Sequence, residues 1–322
     1  MDLSILIVTY NSARWMDALL QRLQAELGRI AAEVVVVDNA SKDETVETVR
    51  RHHPWVRLVV APHNLGFAAG VNRCAELANG RHLLLLNPDA VPEPGAVARG
   101  LALMDAHPDT AMGGGALYGV DGRLQPSARM FPTLLDEFFV MSGLSARHPR
   151  HPLLSRLDRG WADPTAPAEV DWIPGAFVYL QRAIFVSLGG FDERYFLYYE
   201  ELDLCRRLRT QGMKVRYWPE LRAMHRGGES ARTVEGAHIS QGGGQLESWR
   251  MRSALLYYRK HHGLPGALGL RALEQGWRRG RQLKAALKGQ RAKAAALESQ
   301  CALLLQAWRD TAGGLRSPPV PW

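Results

Sequence analysis

The side chains of this 322-residue chain that could do chemistry sit at the ends of its apolar runs. Asp89, in Asn87-Pro88-Asp89, directly follows HLLLL. At a strand tip its carboxylate can bind a hard divalent cation that carries a diphosphate; the tripeptide can equally be a plain Asn-Pro turn. Glu200, Glu201 and Asp203 open a helical segment, and the preceding FDERYFLYY brings aromatics that would partly desolvate a carboxylate and suit it to general-base work. Solvated capping competes with that reading, because a helix N-terminus favours anions. His225, after LRAM and before Arg226-Gly227-Gly228, is either a metal ligand or an ordinary hydrogen-bonded histidine. Asp38 closes EVVVVD, where it can accept a base N–H or a ribose hydroxyl, or cap a turn. In NLGFAAG, Gly66 and Gly70 flank a helix start, and their missing side chains let backbone amides approach a phosphate. Neither the Gly-x-Gly-x-x-Gly spacing of nicotinamide sites nor a Walker lysine motif occurs.

Such groups need a sheet to position them. Apolar runs predict strands over residues 3–9, 33–38, 56–60 and 82–86. Between them, helices are expected over 12–27 with Gly28 past the end, from a Ser41/Glu44 capping box to about residue 51, and over 67–79 with Gly80 as the stop. Strands alternating with amphipathic helices imply a parallel sheet covered on both faces, whose ligands bind at the carboxyl ends of the strands. Those ends are Thr9-Tyr10-Asn11, Asp38-Asn39-Ala40-Ser41, Asn64-Leu65-Gly66 and Asn87-Pro88-Asp89, and all four are polar. Residues 145–169, crowded with Arg, His and Pro, read as a loop or lid. A strand over 171–180, a helix over 200–211, a strand over 214–218 and a mainly helical stretch from 246 to about 311 follow.

With 46% hydrophobic, 22% charged and 8% aromatic residues, the chain is neither disordered, collagenous nor coiled coil as a whole. Cys74, Cys205 and Cys301 are too few and too scattered for a disulfide framework or a zinc site, so they are expected as reduced thiols in a cytosolic protein. The opening MDLSILIVTYN lacks the features of a secretory signal, and no apolar stretch reaches membrane-span length. The expected location is therefore the cytoplasm. Of the formal net charge of +8, residues 263–322 contribute +7, through ten basic and three acidic side chains. A tail of that sign attracts polyanions. Its leucines and tryptophans recur among Arg and Lys, predicting amphipathic helices that lie on a membrane surface or pack against the body or a second subunit. The nearly neutral body carries no aromatic-basic recognition motif, so nucleic acid is not an expected partner.

Taken in order, SILIVTYN, VVVVDNASKD, NLGFAAGVN, LLLLNPDA, WIPGAFVYLQR, GGFDERYFLYYEELDLCRRLRTQG and HRGGES resemble the bacterial family 2 inverting glycosyltransferases of GT-A fold, most closely their rhamnosyltransferase-like branch. The likeness covers about residues 1–262. It implies a Rossmann-like, mostly parallel α/β sheet flanked by helices, with a catalytic domain over 1–245 (nucleotide-binding half 1–110, acceptor half 111–245) and a helical basic extension over 246–322. By that resemblance Thr9, Tyr10, Asn11 and Asp38 line the nucleotide pocket, completed by Asn64, Gly70 and Asn72. Asp89 takes the metal-binding position of an Asp-x-Asp motif, whose first position here is Asn87, and His225 supplies a second contact to Mg²⁺ or Mn²⁺. Trp172, Gly175 and Ala176 fall where donor sugar and acceptor meet. Glu201 takes the catalytic-base position with Glu200 beside it, either being able to serve, and Asp203 holds the helix start.

The implied reaction moves a sugar from a dTDP-, UDP- or GDP-linked donor, rhamnose first among the guesses, to a saccharide or lipid-linked saccharide of a growing cell-surface polysaccharide. Work at the inner face of the membrane and homo-oligomer formation are both compatible with it. Two other classes compete. A sugar-phosphate nucleotidyltransferase should show a Gly-rich loop with Arg and Lys after its first strand, which TYNSARWMD does not supply. A non-catalytic sugar-nucleotide-binding protein should have lost the acidic groups that persist here.

Overall fold

The computed structural model describes residues 1–28, 30–227 and 244–319. Its first half runs β1 (Leu3–Thr9), α1 (Ala13–Leu27), β2 (Ala32–Asp38), α2 (Thr45–His52), β3 (Arg57–Val60), α3 (Phe67–Leu77), β4 (His82–Leu86), β5 (Ala90–Pro92) and α4 (Ala96–Ala106). The second continues with β6 (Thr110–Tyr118), β7 (Leu124–Gln125), α5 (Leu134–Ser142), α6 (Leu144–Arg147), β8 (Ala168–Glu169), β9 (Phe177–Gln181), α7 (Arg182–Ser187), α8 (Glu200–Thr210) and β10 (Lys214–His225). Two helices close the chain, Gly244–Leu287 and Arg291–Asp310.

One sheet, ordered β3-β2-β1-β4-β9-β6-β10-β5, organises everything else. β3, β2, β1 and β4 are mutually parallel, β9 runs antiparallel between β4 and β6, and β10 is parallel to β6. Alternation along β1 divides its side chains between two cores. Leu3, Ile5 and Ile7 pack with Met16, Leu19, Leu20 and Leu23 of α1, and Leu6 and Val8 with Ala68, Val71 and Cys74 of α3. Burial on both faces explains why these strands read as continuous apolar runs.

The expected strands at β1 and β4 have the predicted bounds. Other expectations need correction. No capping box opens α2: it starts at Thr45, because the Ser41 hydroxyl is committed to the buried Asp38 carboxylate at 2.5 Å. Gly28 has right-handed backbone (φ −58°) and does not act as a left-handed cap. α3 stops at Leu77, before Gly80, which instead packs against the β1 backbone. The strand expected over 171–180 forms only from Phe177, since Pro174 offers no N–H to a ladder and the preceding residues turn towards the carboxyl edge. β10 runs on from Trp218 to His225 through a register shift around Pro219. Residues 145–169 are irregular apart from short pieces, and they are pinned to the body by Arg156 on Asp136 (2.7 Å), Arg129 on Asp158, and Tyr217 Oη donating to the Pro164 carbonyl (2.9 Å).

The C-terminal helices pack inward as well as being amphipathic. Leu255, Tyr257, Leu270 and Leu304 belong to the same core as β1 and β4 side chains. Among the described residues no helix is long and apolar enough to cross a membrane. All three cysteines are free and buried.

Gly113-Gly114-Gly115 lets β6 be overlaid tightly. A Cβ on Gly113 would meet the Trp218 ring at 2.0 Å, and one on Gly115 the Leu221 carbonyl oxygen at 1.9 Å. Backbone cannot swing aside as a side chain can. Gly115→Ala should therefore cost about 1–3 kcal/mol, read as a lower urea midpoint with unchanged slope; an unchanged midpoint would refute the close approach.

Candidate active site

A cleft of about 390 Å³ opens at the carboxyl ends of β1 and β4. Of the residues proposed from sequence, Thr9, Tyr10, Asn64, Asn87, Asp89, Trp172, Gly175, Ala176, Glu200, Glu201 and His225 line it. Widely separated parts of the chain thus meet in one place. No residue from 145–169 is among its walls.

The remaining proposed residues lie outside the lining, each for a visible reason. Asp38 is fully buried beneath the cleft, its oxygens taken by the Ser41 hydroxyl and Ser41 N–H (2.9 Å). Burial pushes its carboxyl up, against the Ser41 hydrogen bonds. Asn11, with φ 48°, accepts from Lys42 N–H at 2.8 Å and ties the β1 and β2 termini together. Gly70 brings α3 against β1, where a Cβ would meet Val8 at 2.7 Å. The Asn72 amide accepts from Phe191 N–H (2.8 Å) and donates to the Phe191 carbonyl (2.9 Å), a structural clasp on the following loop. Asp203 points towards the C-terminal helices, pairing with Arg207 (2.9 Å), Lys260 (2.7 Å) and His261 (2.7 Å), so it anchors α8 more than it holds its start.

At one pole of the cleft stand Asp89 and His225. Asp89 is 4% exposed, and its Oδ1 lies 3.7 Å from His225 Nε2. Neither Asp89 Oδ2 nor His225 Nε2 has a hydrogen-bond partner among the described residues. Gln125 explains the ring's orientation: its Nε2 donates to the His225 carbonyl at 2.8 Å and its Oε1 faces Nδ1 at 2.8 Å. A carbonyl can only accept, which fixes the Gln125 amide; Nδ1 must then carry the proton, and the Nε2 lone pair is left for the cleft. Two facing acceptors this close fit a shared cation. Among the described residues no group of three or more ligating side chains exists, so a cation on this pair would share it with phosphate oxygens and water, the habit of Mg²⁺ and Mn²⁺ in diphosphate sites.

Glu200 and Glu201 form the other pole. Glu201 Oε1 accepts from Gly175 N–H at 3.2 Å, while the Oε2 atoms of both glutamates lack partners among the described residues. Burial raises both carboxyls, and the Glu201 charge raises Glu200 further, whereas the Gly175 N–H and the Arg129 guanidinium favour ionised Glu201. Of the two, Glu201 is the one whose surroundings favour the ionised form. Just before them, Tyr198 and Tyr199 both adopt left-handed backbone (φ 70° and 72°), a conformation costing roughly 1–3 kcal/mol per residue and sustained here by the buried Tyr195 and the Asp203 ion pairs.

Several lining residues escaped the sequence reading. Asn39 accepts from Leu65 N–H and donates to the Gly66 carbonyl, holding the 64–66 turn. Arg129 lies over the Trp172 ring at 4.7 Å. Trp249 stacks on Phe196 at 4.3 Å, so a helix assigned to the tail supplies a wall. No periodicity marks Gln125, which sits in a two-residue strand. Gln125→Ala should weaken Mn²⁺ binding about 10–100-fold in an electron paramagnetic resonance titration, while undiminished affinity would remove Gln125 from the site.

Comparison with known proteins fits this geometry. Residues 4–158 match the family model "Glycosyl transferase family 2". The chain is 28% identical over 249 residues to the N-acetylglucosaminyl-diphospho-decaprenol L-rhamnosyltransferase of Mycobacterium tuberculosis, covering 74% of this chain and 80% of that protein. It is 27% identical over 232 residues to rhamnosyltransferase WbbL of Escherichia coli K12, covering 69% and 82%. In fold it is similar to the mannosyltransferase PcManGT from Pyrobaculum calidifontis, solved with GDP-Man and Mn²⁺, with a TM-score of 0.54 at 17% identity over 96% of this chain and 86% of that one.

Proposed function

We propose that this chain, a rhamnosyltransferase-like glycosyltransferase with a family 2 domain, transfers a sugar, rhamnose by preference, from a nucleoside diphosphate to a lipid-linked saccharide in a single inverting displacement. The observation that carries the reading is the convergence of two poles in one cleft: acceptors Asp89 and His225 facing each other at 3.7 Å, and the Glu200–Glu201 carboxyl pair. A named relative acts as a rhamnosyltransferase with a diphospho-decaprenol-linked sugar, which supports the acceptor class. The reaction would take place at the inner face of the cell membrane, where such acceptors are built.

Asp89 and His225 would hold Mg²⁺ or Mn²⁺, which neutralises charge on the departing nucleoside diphosphate. Thr9, Tyr10 and Asn64 flank the nucleotide side of the cleft, and Gly66, at the N-terminus of α3, offers backbone approach to phosphate. Glu201 accepts the proton of the acceptor hydroxyl, whose oxygen attacks the anomeric carbon from the face opposite the leaving group. The new bond is carbon to acceptor oxygen, the broken one carbon to diphosphate oxygen. Glu200 keeps its proton and donates to Glu201, orienting the base. Trp172, braced by its Nε1 donating to the Met130 carbonyl at 2.9 Å, offers a flat face for a sugar ring.

Glu201→Gln should lower kcat about 10²–10⁴-fold with nucleotide-sugar affinity retained, whereas Glu200→Gln, still a hydrogen-bond donor, should keep most of the activity. Equal losses in the two variants would contradict the division of labour. Because burial raises the Glu201 carboxyl and the base must be ionised, kcat/KM should climb with pH through a step above the ordinary glutamate value of 4.5. A flat profile from pH 4.5 to 8 in Mn²⁺-saturated enzyme would exclude Glu201 as the base.

A further inference from the structure

Gly263 (φ 68°) breaks the helical span Gly244–Leu287 and turns its second part back along the first. Arg250 reaches Glu274 at 3.4 Å and Glu247 reaches Arg278 at 3.2 Å, so residue 278 lies level with residue 247. Gln245, Leu246 and Trp249, on either side of that level, line the catalytic cleft. The chain beyond Arg278 therefore projects past the cleft wall. At 1.5 Å per helical residue Leu287 stands about 14 Å further on, before the final helix starts at Arg291 and returns to bring Trp308 under Arg271.

That projecting tip has a distinct chemistry. Between Glu274 and Glu298 there is no acidic residue, while Arg279, Arg281, Lys284, Lys288, Arg291 and Lys293 are all exposed, and none forms an ion pair among the described residues. Nearer the core the cations are used internally, as Arg278 is on Glu274 at 2.7 Å. Leu283 and Leu287, one turn apart on one helix face and adjoining Lys284 and Lys288, are 62% and 81% exposed. A cluster of cations needs only a polyanion, but two bare leucines among them need an apolar layer beneath the charge.

We propose that this helical tip docks the enzyme on an anionic lipid surface, with the two leucines entering the acyl boundary and the cations on the headgroups, and so presents the cleft mouth to an acceptor anchored in the same leaflet. The surface stands on the tip alone; its purpose rests on the lipid-linked acceptor proposed above. Leu283 and Leu287 lie outside both cores and outside the cleft walls, so changing them leaves the catalytic groups in place.

The test is co-sedimentation of the full chain with phosphatidylcholine vesicles with and without phosphatidylglycerol, at low and high salt, alongside sugar transfer to a water-soluble acceptor. The expected result is binding that needs phosphatidylglycerol, weakens with salt, and falls about tenfold or more in both Leu283→Ser/Leu287→Ser and Lys284→Glu/Lys288→Glu, with soluble transfer unchanged. Absence of vesicle binding, equal binding to neutral vesicles, or leucine variants that bind like the wild type would overturn the proposal, as would tighter, leucine-independent binding to duplex DNA. Vesicle binding without any sugar transfer would instead count against the catalytic reading and leave the docking surface standing.

Discussion

Residues 174–176 hold the two poles of the cleft at a fixed separation, and the chemistry depends on that separation. On one side the Ala176 carbonyl accepts from Asn87 N–H at 3.0 Å, two residues before Asp89. On the other, Gly175 N–H donates to Glu201 Oε1 at 3.2 Å. A single short turn thus ties the tip of a parallel strand to the start of α8. It can do so because β9, which follows it directly, runs antiparallel to β4 and therefore starts at the carboxyl edge of the sheet, Phe177 opposite Leu86.

Both poles are costly to maintain. An unsatisfied buried polar group costs about 1–3 kcal/mol, and Asp89, Glu200, Glu201 and His225 each keep one atom without a partner among the described residues. Two cores on opposite faces of the sheet, together with the Asp203–Lys260 ion pair to the C-terminal helices and the Arg250–Glu274 pair within them, supply the rigidity that keeps these atoms from collapsing onto one another. The same helices contribute Trp249 to the cleft wall and carry the cationic tip beyond it. The extension is continuous with the catalytic body in packing, even though its composition sets it apart.

How much was legible in the sequence follows from how local each signal is. β1 and β4 were readable to the residue because strands buried on both faces write an unbroken apolar run. Asp89, Glu200, Glu201 and His225 could be singled out because each ends or opens such an element. Asp38, Asn72 and Asp203 carry the same residue types in equally polar surroundings, yet their partners (Ser41, Phe191 and Lys260) divert them into structural work, and those partners are fixed only by the tertiary fold. The Ser41/Glu44 capping box failed for the same reason, since a buried carboxylate outcompeted a helix N-terminus for the hydroxyl. Gln125 left no trace, because the selection of one histidine tautomer has no period and no composition.

The central claim is a base and a leaving group on opposite sides of one sugar carbon. It is tested most directly by following the anomeric proton by nuclear magnetic resonance while the enzyme turns over a nucleotide sugar of known configuration. The account predicts a first-formed glycoside of opposite anomeric configuration to the donor, without a covalent sugar adduct on the protein. Retention of configuration would contradict it.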